Sequence, residues 1–541
     1  MKIILSYISI VCCLLSCLSC KKQHELTTGE IIKSKPIEIL DISISNELLE
    51  EELHKIKVDS SVISLKNKDS VIAFYQLRNG KAAWEKAKNR NAFYFAIKNA
   101  AKEGLIPEDY NLQKIETINT KANLESANNV FLDLFFTDTY LTYAYHLANG
   151  KIDPKKLYKD WRLDDNVFQF NNTLSLAINN LKLAESFESY KPKHKIYQQL
   201  ITELPIAKQR LEKDSLRTII DYGAKIRPNK SNDRIIHIRK RLNELGYLED
   251  SLVNNSKILD TLLQEGLKKF QLQNNLQVDA IIGESTVAVL NRNYKDKYLS
   301  ILANLERWRW FPRNFGSSAI VVNIPQYQLT YIAENKRVNH NIVVGKTARK
   351  TPVFSSTVRH IDFNPKWYIP PTIKKEDIIP SATKNVDYLR KKNISVFNRQ
   401  GKQMILDSIN WNSRAPFSYS YVQASGNSNA LGRLKIIFPN DFSVYLHDTP
   451  SKSLFSKNYR AKSSGCVRVQ DVYKLASEIL DWPEDDIISI VDKKTAKRVL
   501  PEKQTKVHLL YWSVIFSKKS EPIFLNDVYK LDQELGLLLA N

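Results

Sequence analysis

Four of the five cysteines, Cys12, Cys13, Cys17 and Cys20, fall within the first twenty residues, so the rest of the chain must fold around a single thiol, Cys466. No intrachain disulfide can staple it, and a structural zinc site built on several thiolates is excluded. Stability must come from buried apolar side chains. The chain has enough of them: 43% of its 541 residues are hydrophobic and 26% are charged, an ordinary balance for globular domains. At about 150 residues per domain the length allows roughly three to four. A disordered chain, a collagen and a polytopic membrane protein are ruled out.

The chain opens with Met1-Lys2 and an apolar stretch to Cys20, too short to span a bilayer and shaped like a secretory signal. Leu18-Ser19-Cys20, followed at once by the polar Lys21-Lys22-Gln23-His24, resembles the lipobox of bacterial lipoproteins. That resemblance implies a signal peptide over 1–19 and lipid on Cys20. Leu14-Leu15-Ser16-Cys17 also fits, which makes Cys17 the alternative. An uncleaved anchor helix would change the tether and not the compartment. Cys17 and Cys20 lie inside the signal, so their C-x-x-C spacing is not a redox motif. Export places the protein on the periplasmic side of the envelope, with either membrane holding the lipid. The formal charge of +22 then points to anionic lipid or wall, and nucleic acid is excluded as a partner.

The pattern predicts a multidomain α+β chain. Residues 20–65 read as a polar tether with one helix near Asn46 to Ile56. Residues 66–228 form a helical domain, in which Phe131-Leu132-Asp133-Leu134-Phe135-Phe136 runs into Tyr140 to Leu147 and Gly104-Leu105-Ile106-Pro107 stops a helix. Residues 229–295 hold three short amphipathic helices, with Glu284 or Ser285 as a cap. β-Branched runs such as Ile320-Val321-Val322 predict a mainly β domain over 296–500, with a lid inserted at about 370–430. Residues 501–541 read as an extension packed on the β domain and the helical domain.

The three-helix module carries Gly246-Tyr247, Phe270-Gln271, Leu276, Asp279, Ile282-Gly283, Thr286 and Leu290-Asn291, and resembles the peptidoglycan-binding type 1 domain. It has Ala280 where that family has glycine after the aspartate.

The chemistry concentrates in His447-Asp448-Thr449 and, nineteen residues after the histidine, Cys466 in Ser463-Ser464-Gly465-Cys466-Val467-Arg468. A lone cysteine is more often a small buried hydrophobe than a nucleophile, and a strand-end histidine more often a surface residue than a base. Here the thiol is unique, exported and set on a Ser-Gly turn, with a histidine able to take its proton. Asp471 is a candidate cap for the helix that follows. These strings resemble the signature of the L,D-transpeptidase catalytic domain. Asn364-Pro365-Lys366-Trp367-Tyr368-Ile369-Pro370, Leu431-Gly432 and Phe438-Pro439-Asn440 agree. Phe74-Tyr75, Trp84 and Gly104 to Tyr110 look like the scaffold domain of the large multidomain members. Many relatives carry histidine before the Gly-Cys pair; this chain has Ser464, which leaves His447 as the candidate base.

The resemblance implies that Cys466 attacks the carbonyl of the third residue of a peptidoglycan tetrapeptide stem and releases D-alanine, and that a neighbouring stem's amine resolves the thioester into a 3→3 cross-link. His447 would move the protons, and the backbone at Gly465 would hold the oxyanion. Arg468, Tyr445 and Ser464 are the candidate substrate contacts. Donor and acceptor stem peptides are the expected partners, together with the membrane and, in principle, other wall-synthesis proteins. The remaining histidines, among them His146, His237, His360 and His508, lack metal-ligand spacing; neither a metal nor a cofactor is expected. Three alternatives stay open: hydrolysis or D-amino-acid exchange on the same acyl-enzyme, a wall-binding lipoprotein with an inert domain, and a cysteine peptidase. The peptidase is disfavoured by the lack of an evident Asn or Asp partner for His447.

Overall fold

The computed structural model describes residues 40–58, 64–120, 126–212, 217–274, 276–334 and 336–541. The expected signal peptide, with Cys17 and Cys20, lies outside these residues. Among the described residues, no helix is long and apolar enough to cross a membrane.

The helical domain is built around Ser126–Asn149. A helix surrounded by others must be apolar on every side, and Leu132, Leu134, Phe136, Tyr140, Ala144 and Leu147 are all buried. Asp133 is buried among them. It accepts hydrogen bonds from the Ala83 and Trp84 N–H groups (3.1 and 2.6 Å) and from the Tyr75 hydroxyl (2.8 Å). Burial nevertheless pushes its carboxyl up to about 6. The predicted tether ends earlier than 65. Helix Asn46–Val58 buries Leu49 and Ile56, and Ile44 joins them in the same core, so residues 41–58 belong to the helical domain.

The small module contains helices Arg234–Glu244, Thr261–Gln273 and Glu284–Leu290 around Ile238, Leu242, Leu263, Leu267, Phe270 and Leu290. Asp260 caps the second helix by accepting the Leu263 N–H at 3.0 Å. The third begins after Gly283 without a side-chain cap, so neither Glu284 nor Ser285 has the predicted role. Ala280 occupies the left-handed region at φ +54°. That conformation costs an L side chain about 1–2 kcal/mol, which accounts for the glycine expected there. The Gln271 side chain accepts the Ala280 N–H at 2.9 Å and helps hold the turn.

The change to β structure comes later than expected. Tyr294–Trp310 is a helix, and most of it is buried, Glu306, Arg307 and Arg309 included. Glu306 and Arg309 pair with each other at 2.8 Å, and Arg307 pairs with Asp532 of the C-terminal segment at 2.5 Å. This helix packs against Lys195–Leu211, and one continuous core runs from both into the sheet.

The sheet orders its strands Trp161–Arg162, Val353–Thr357, Lys506–Leu510, Ser318–Asn323, Gln328–Ala333, Lys336–Gly345, Val467–Val469, Leu446–His447, Leu434–Ile437, His360–Phe363 and Lys497–Val499, with Ala461–Ser463 paired to Lys336–Gly345. Lys506–Leu510 is interior, parallel to Ser318–Asn323 and antiparallel to Val353–Thr357. The boundary placed at 500 is therefore too early: Lys506–Leu510 belongs to the sheet, while the residues after it pack on Tyr294–Trp310 and Tyr158 as the expected extension would. The insertion near 370–430 is a small folded lid. Strands Trp367–Tyr368, Ser420–Gln423 and Ile394–Phe397 pair beside short helices, over a core of its own that includes Ile378, Leu389, Val396 and Tyr421.

Candidate active site

Sheet register sets the site. Lys435 lies opposite His447, and His447 opposite Arg468. One step back along the strands, the Val467 N–H donates to the Tyr445 carbonyl at 3.1 Å, which brings Tyr445 beside Cys466. Side chains two apart share a face of a strand, so Tyr445 and His447 line up with Cys466 and Arg468. All four line a cleft of about 660 Å³, to which the lid contributes Trp367 and Tyr388.

Burial pushes the half-buried Cys466 thiol up. The Tyr445 N–H and hydroxyl, Lys435 and Arg468 all favour the thiolate and oppose that shift. His447 has Nδ1 2.5 Å from the Asp448 carbonyl oxygen. A carbonyl only accepts, so Nδ1 carries the proton and Nε2 keeps the lone pair. Burial first, and then Arg468 and Lys435, push the imidazole down to about 3. At neutral pH the His447 imidazole is therefore uncharged. No hydrogen bond joins it to Cys466 among the described residues; the Tyr445 ring stands edge-on beside it at 5.6 Å. Asp448 faces away and is held by the Arg433 N–H (2.9 Å) and by Lys452.

Gly465 has φ +115°, a conformation that a side chain would strain. Its N–H, expected at the oxyanion, instead donates to Ser463 Oγ at 3.2 Å, and that hydroxyl donates to the Cys466 carbonyl at 2.5 Å. The Cys466 N–H has no acceptor among the described residues. Ser464 is exposed but lines the same cleft, and its Oγ accepts from Arg349 at 2.8 Å. Arg468 lines the cleft with its Nε buried and unpartnered among the described residues, and burial lowers its pKa. Asp471 makes no side-chain cap on helix Val472–Leu480.

Two functional side chains escaped the sequence. Lys435 holds its ammonium 3.9 Å from the centre of the Tyr445 ring. Its signal was a lone lysine inside Leu434-Lys435-Ile436-Ile437. Arg349 reaches Asp377 (2.6 Å) and Glu376 of the lid as well as Ser464. Nothing in its basic loop marks partners so far along the chain.

Comparison with known proteins places these parts in families. Three descriptions match in chain order: "Scaffold domain" over 69–204, "Putative peptidoglycan binding domain" over 231–290 and "L,D-transpeptidase catalytic domain" over 317–508. The chain thus combines a scaffold domain, a peptidoglycan-binding type 1 domain and a catalytic domain of the L,D-transpeptidase family. A protein of Haemophilus influenzae named "Putative L,D-transpeptidase" is 34% identical over 244 residues, 44% of this chain and 49% of that protein. The chain therefore spans about half the length of this curated relative. Among solved structures, an L,D-transpeptidase from Stackebrandtia nassauensis matches at 10% identity and a TM-score of 0.18, over 54% of this chain and 95% of its own. A fused Zn-dependent amidase/peptidase/peptidoglycan-binding domain-containing protein from Clostridium acetobutylicum matches at 12% and 0.13, over 53% and 99%.

Proposed function

We propose that this protein is an L,D-transpeptidase that makes 3→3 cross-links in peptidoglycan through a thioester on Cys466. The observation that carries this reading is the cleft shared by Tyr445, His447, Arg468 and the unique thiol, with Lys435 opposite His447 in the sheet, in a domain matched to that family. His447 Nε2 takes the thiol proton as the sulfur attacks the carbonyl of the third residue of a tetrapeptide stem. The Cys466 N–H receives the developing oxyanion. As the tetrahedral adduct collapses, the C–N bond breaks, the proton passes to the departing amine and D-alanine leaves. The side-chain amine of a neighbouring stem then attacks the thioester and loses a proton to His447, and the thiol is restored. Arg468, which lines the cleft, would bind a stem carboxylate through its guanidinium. The small module would hold the glycan wall, and acylation of Cys20 would tether the chain on the periplasmic side of the envelope.

Incubation of the chain lacking residues 1–20 with disaccharide-tetrapeptides, read by mass spectrometry beside Cys466→Ala, tests the proposal. A dimer with the mass of two tetrapeptides less one D-alanine, absent from the variant, is the expected product. Tripeptide alone would reassign the protein as an L,D-carboxypeptidase, with water resolving the same acyl-enzyme. No product, with sacculi still retained, would leave a wall-binding protein.

A further inference from the structure

The turn that carries Cys466 passes through Gly465 at φ +115°, a residue with little conformational preference of its own, so neighbouring groups must hold it. The Gly465 carbonyl accepts a hydrogen bond from Thr351 Oγ1 at 2.7 Å. A hydroxyl has one hydrogen, and this contact uses it. The second contact of Thr351 Oγ1, at 2.8 Å from the Gly345 N–H, must therefore be an accepting one. Thr351 is fixed in turn by Tyr529 of the C-terminal segment. The Tyr529 oxygen accepts the Thr351 N–H at 2.9 Å and donates its single hydrogen to the Gly345 carbonyl at 2.8 Å. Tyr529 is braced by the Tyr511 hydroxyl, which accepts its N–H at 3.0 Å, and by the Tyr511 ring, stacked 5.6 Å away. Thr351 and Tyr529 are buried, so water cannot easily replace these bonds.

The Gly465 carbonyl belongs to the same planar peptide unit as the Cys466 N–H, and in a trans peptide the two point in opposite directions. Holding the carbonyl on Thr351 therefore aims the N–H to the other side. We propose that Thr351, held by Tyr529, is a positioning residue that orients the Gly465–Cys466 peptide so that the Cys466 N–H serves as the oxyanion donor. The C-terminal segment thereby takes part in catalysis about sixty residues beyond the nucleophile. This inference rests on the reading of Cys466 as the nucleophile.

Thr351→Val, Thr351→Ser and Tyr529→Phe in the mature chain test it. Two readouts are compared: formation of the Cys466 acyl-enzyme from tetrapeptide, and hydrogen exchange of residues 463–468. Thr351→Val and Tyr529→Phe are expected to slow acylation about 10- to 100-fold, as misaimed donors do, with half-saturating substrate changed less than about twofold. Exchange at 463–468 should quicken in both, while helix Val472–Leu480 stays unchanged. Thr351→Ser keeps the hydroxyl and should restore the rate to within about threefold of the native chain. Acylation and exchange unaltered in Thr351→Val would overturn the inference, and so would Thr351→Ser failing as badly as Thr351→Val. A native chain that forms no acyl-enzyme would defeat the proposed function instead, and exchange at 463–468 would still judge the positioning.

Discussion

Cys466 and His447 share a cleft without forming a preset thiolate–imidazolium pair. Burial holds the thiol protonated, while burial with Arg468 and Lys435 holds the imidazole neutral down to about 3. The cations that favour the thiolate are Lys435 and Arg468. Alkylation of Cys466 by iodoacetamide should therefore climb steadily with pH past the ordinary thiol value of about 8.5, with no plateau between pH 5 and 7. Lys435→Met removes a cation, so its curve should move to still higher pH, with slower alkylation at pH 8. A plateau at acid pH in the native chain would refute this account. His447 also links stability to pH. Its folded pKa lies below the ordinary value of about 6.5, so its contribution is complete above that value and is lost as pH falls toward 3, at about 1.4 kcal/mol per pH unit. His447→Gln cannot take up the proton. Between pH 7 and 5 it should lose about 2 kcal/mol less stability than the native chain, measured by denaturant unfolding. Equal losses would show that His447 is already charged in the fold.

The lid and the catalytic turn meet at Arg349, whose guanidinium joins Glu376, Asp377 and Ser464. Both carboxylates are about half exposed, so each ion pair is worth only about 0.2–1 kcal/mol. Arg349→Ala should therefore leave the melting temperature nearly unchanged. Because the lid forms one wall of the cleft, the variant should instead raise the half-saturating substrate concentration severalfold and speed hydrogen exchange over 371–384. A large loss of stability with unchanged substrate dependence would show the contact to be a fold element rather than a latch. At this scale the sequence is legible where chemistry lies in contiguous strings: His447-Asp448-Thr449 ends a strand, and Ser463 to Arg468 makes one turn. Lys435, Thr351 and Arg349 reach the site through sheet register and loop return, which no local pattern encodes. One helix and one domain boundary are obscured for a related reason. In Tyr294–Trp310, Glu306, Arg307 and Arg309 are buried by pairing, so charge masked a core helix. Asn46–Val58 reads as a helix but falls to the tether, because its glutamates and lysines dilute the apolar spacing that Leu49 and Ile56 provide to the helical core.

For the molecule as a whole, the decisive correction is at the C-terminal end. The run Val507-His508-Leu509-Leu510 is visible in the sequence, but its pairing is with Ser318–Asn323, far back along the chain, so an ending at 500 looked permissible. A chain truncated after residue 500 would lose an interior strand and leave the inner edges of Ser318–Asn323 and Val353–Thr357 unpaired. It would also lose Val507, Leu509, Leu510, Val514, Leu535 and Leu539 from the main core. At about 1.5–3 kcal/mol for each buried side chain, these six alone approach or exceed the roughly 5–15 kcal/mol that holds a domain folded. Arg307, buried against Asp532, would keep its charge without its partner, a further penalty of about 3–5 kcal/mol. The truncated chain should therefore show no cooperative transition for the catalytic domain and no protected amides in Ser318–Asn323. The module's core of Ile238, Leu263 and Phe270 is separate from this one, so its helices should retain their protection. A cooperative catalytic domain surviving in the truncated chain would mean that 501–541 is an appendage and that the strand order drawn through Lys506–Leu510 is wrong.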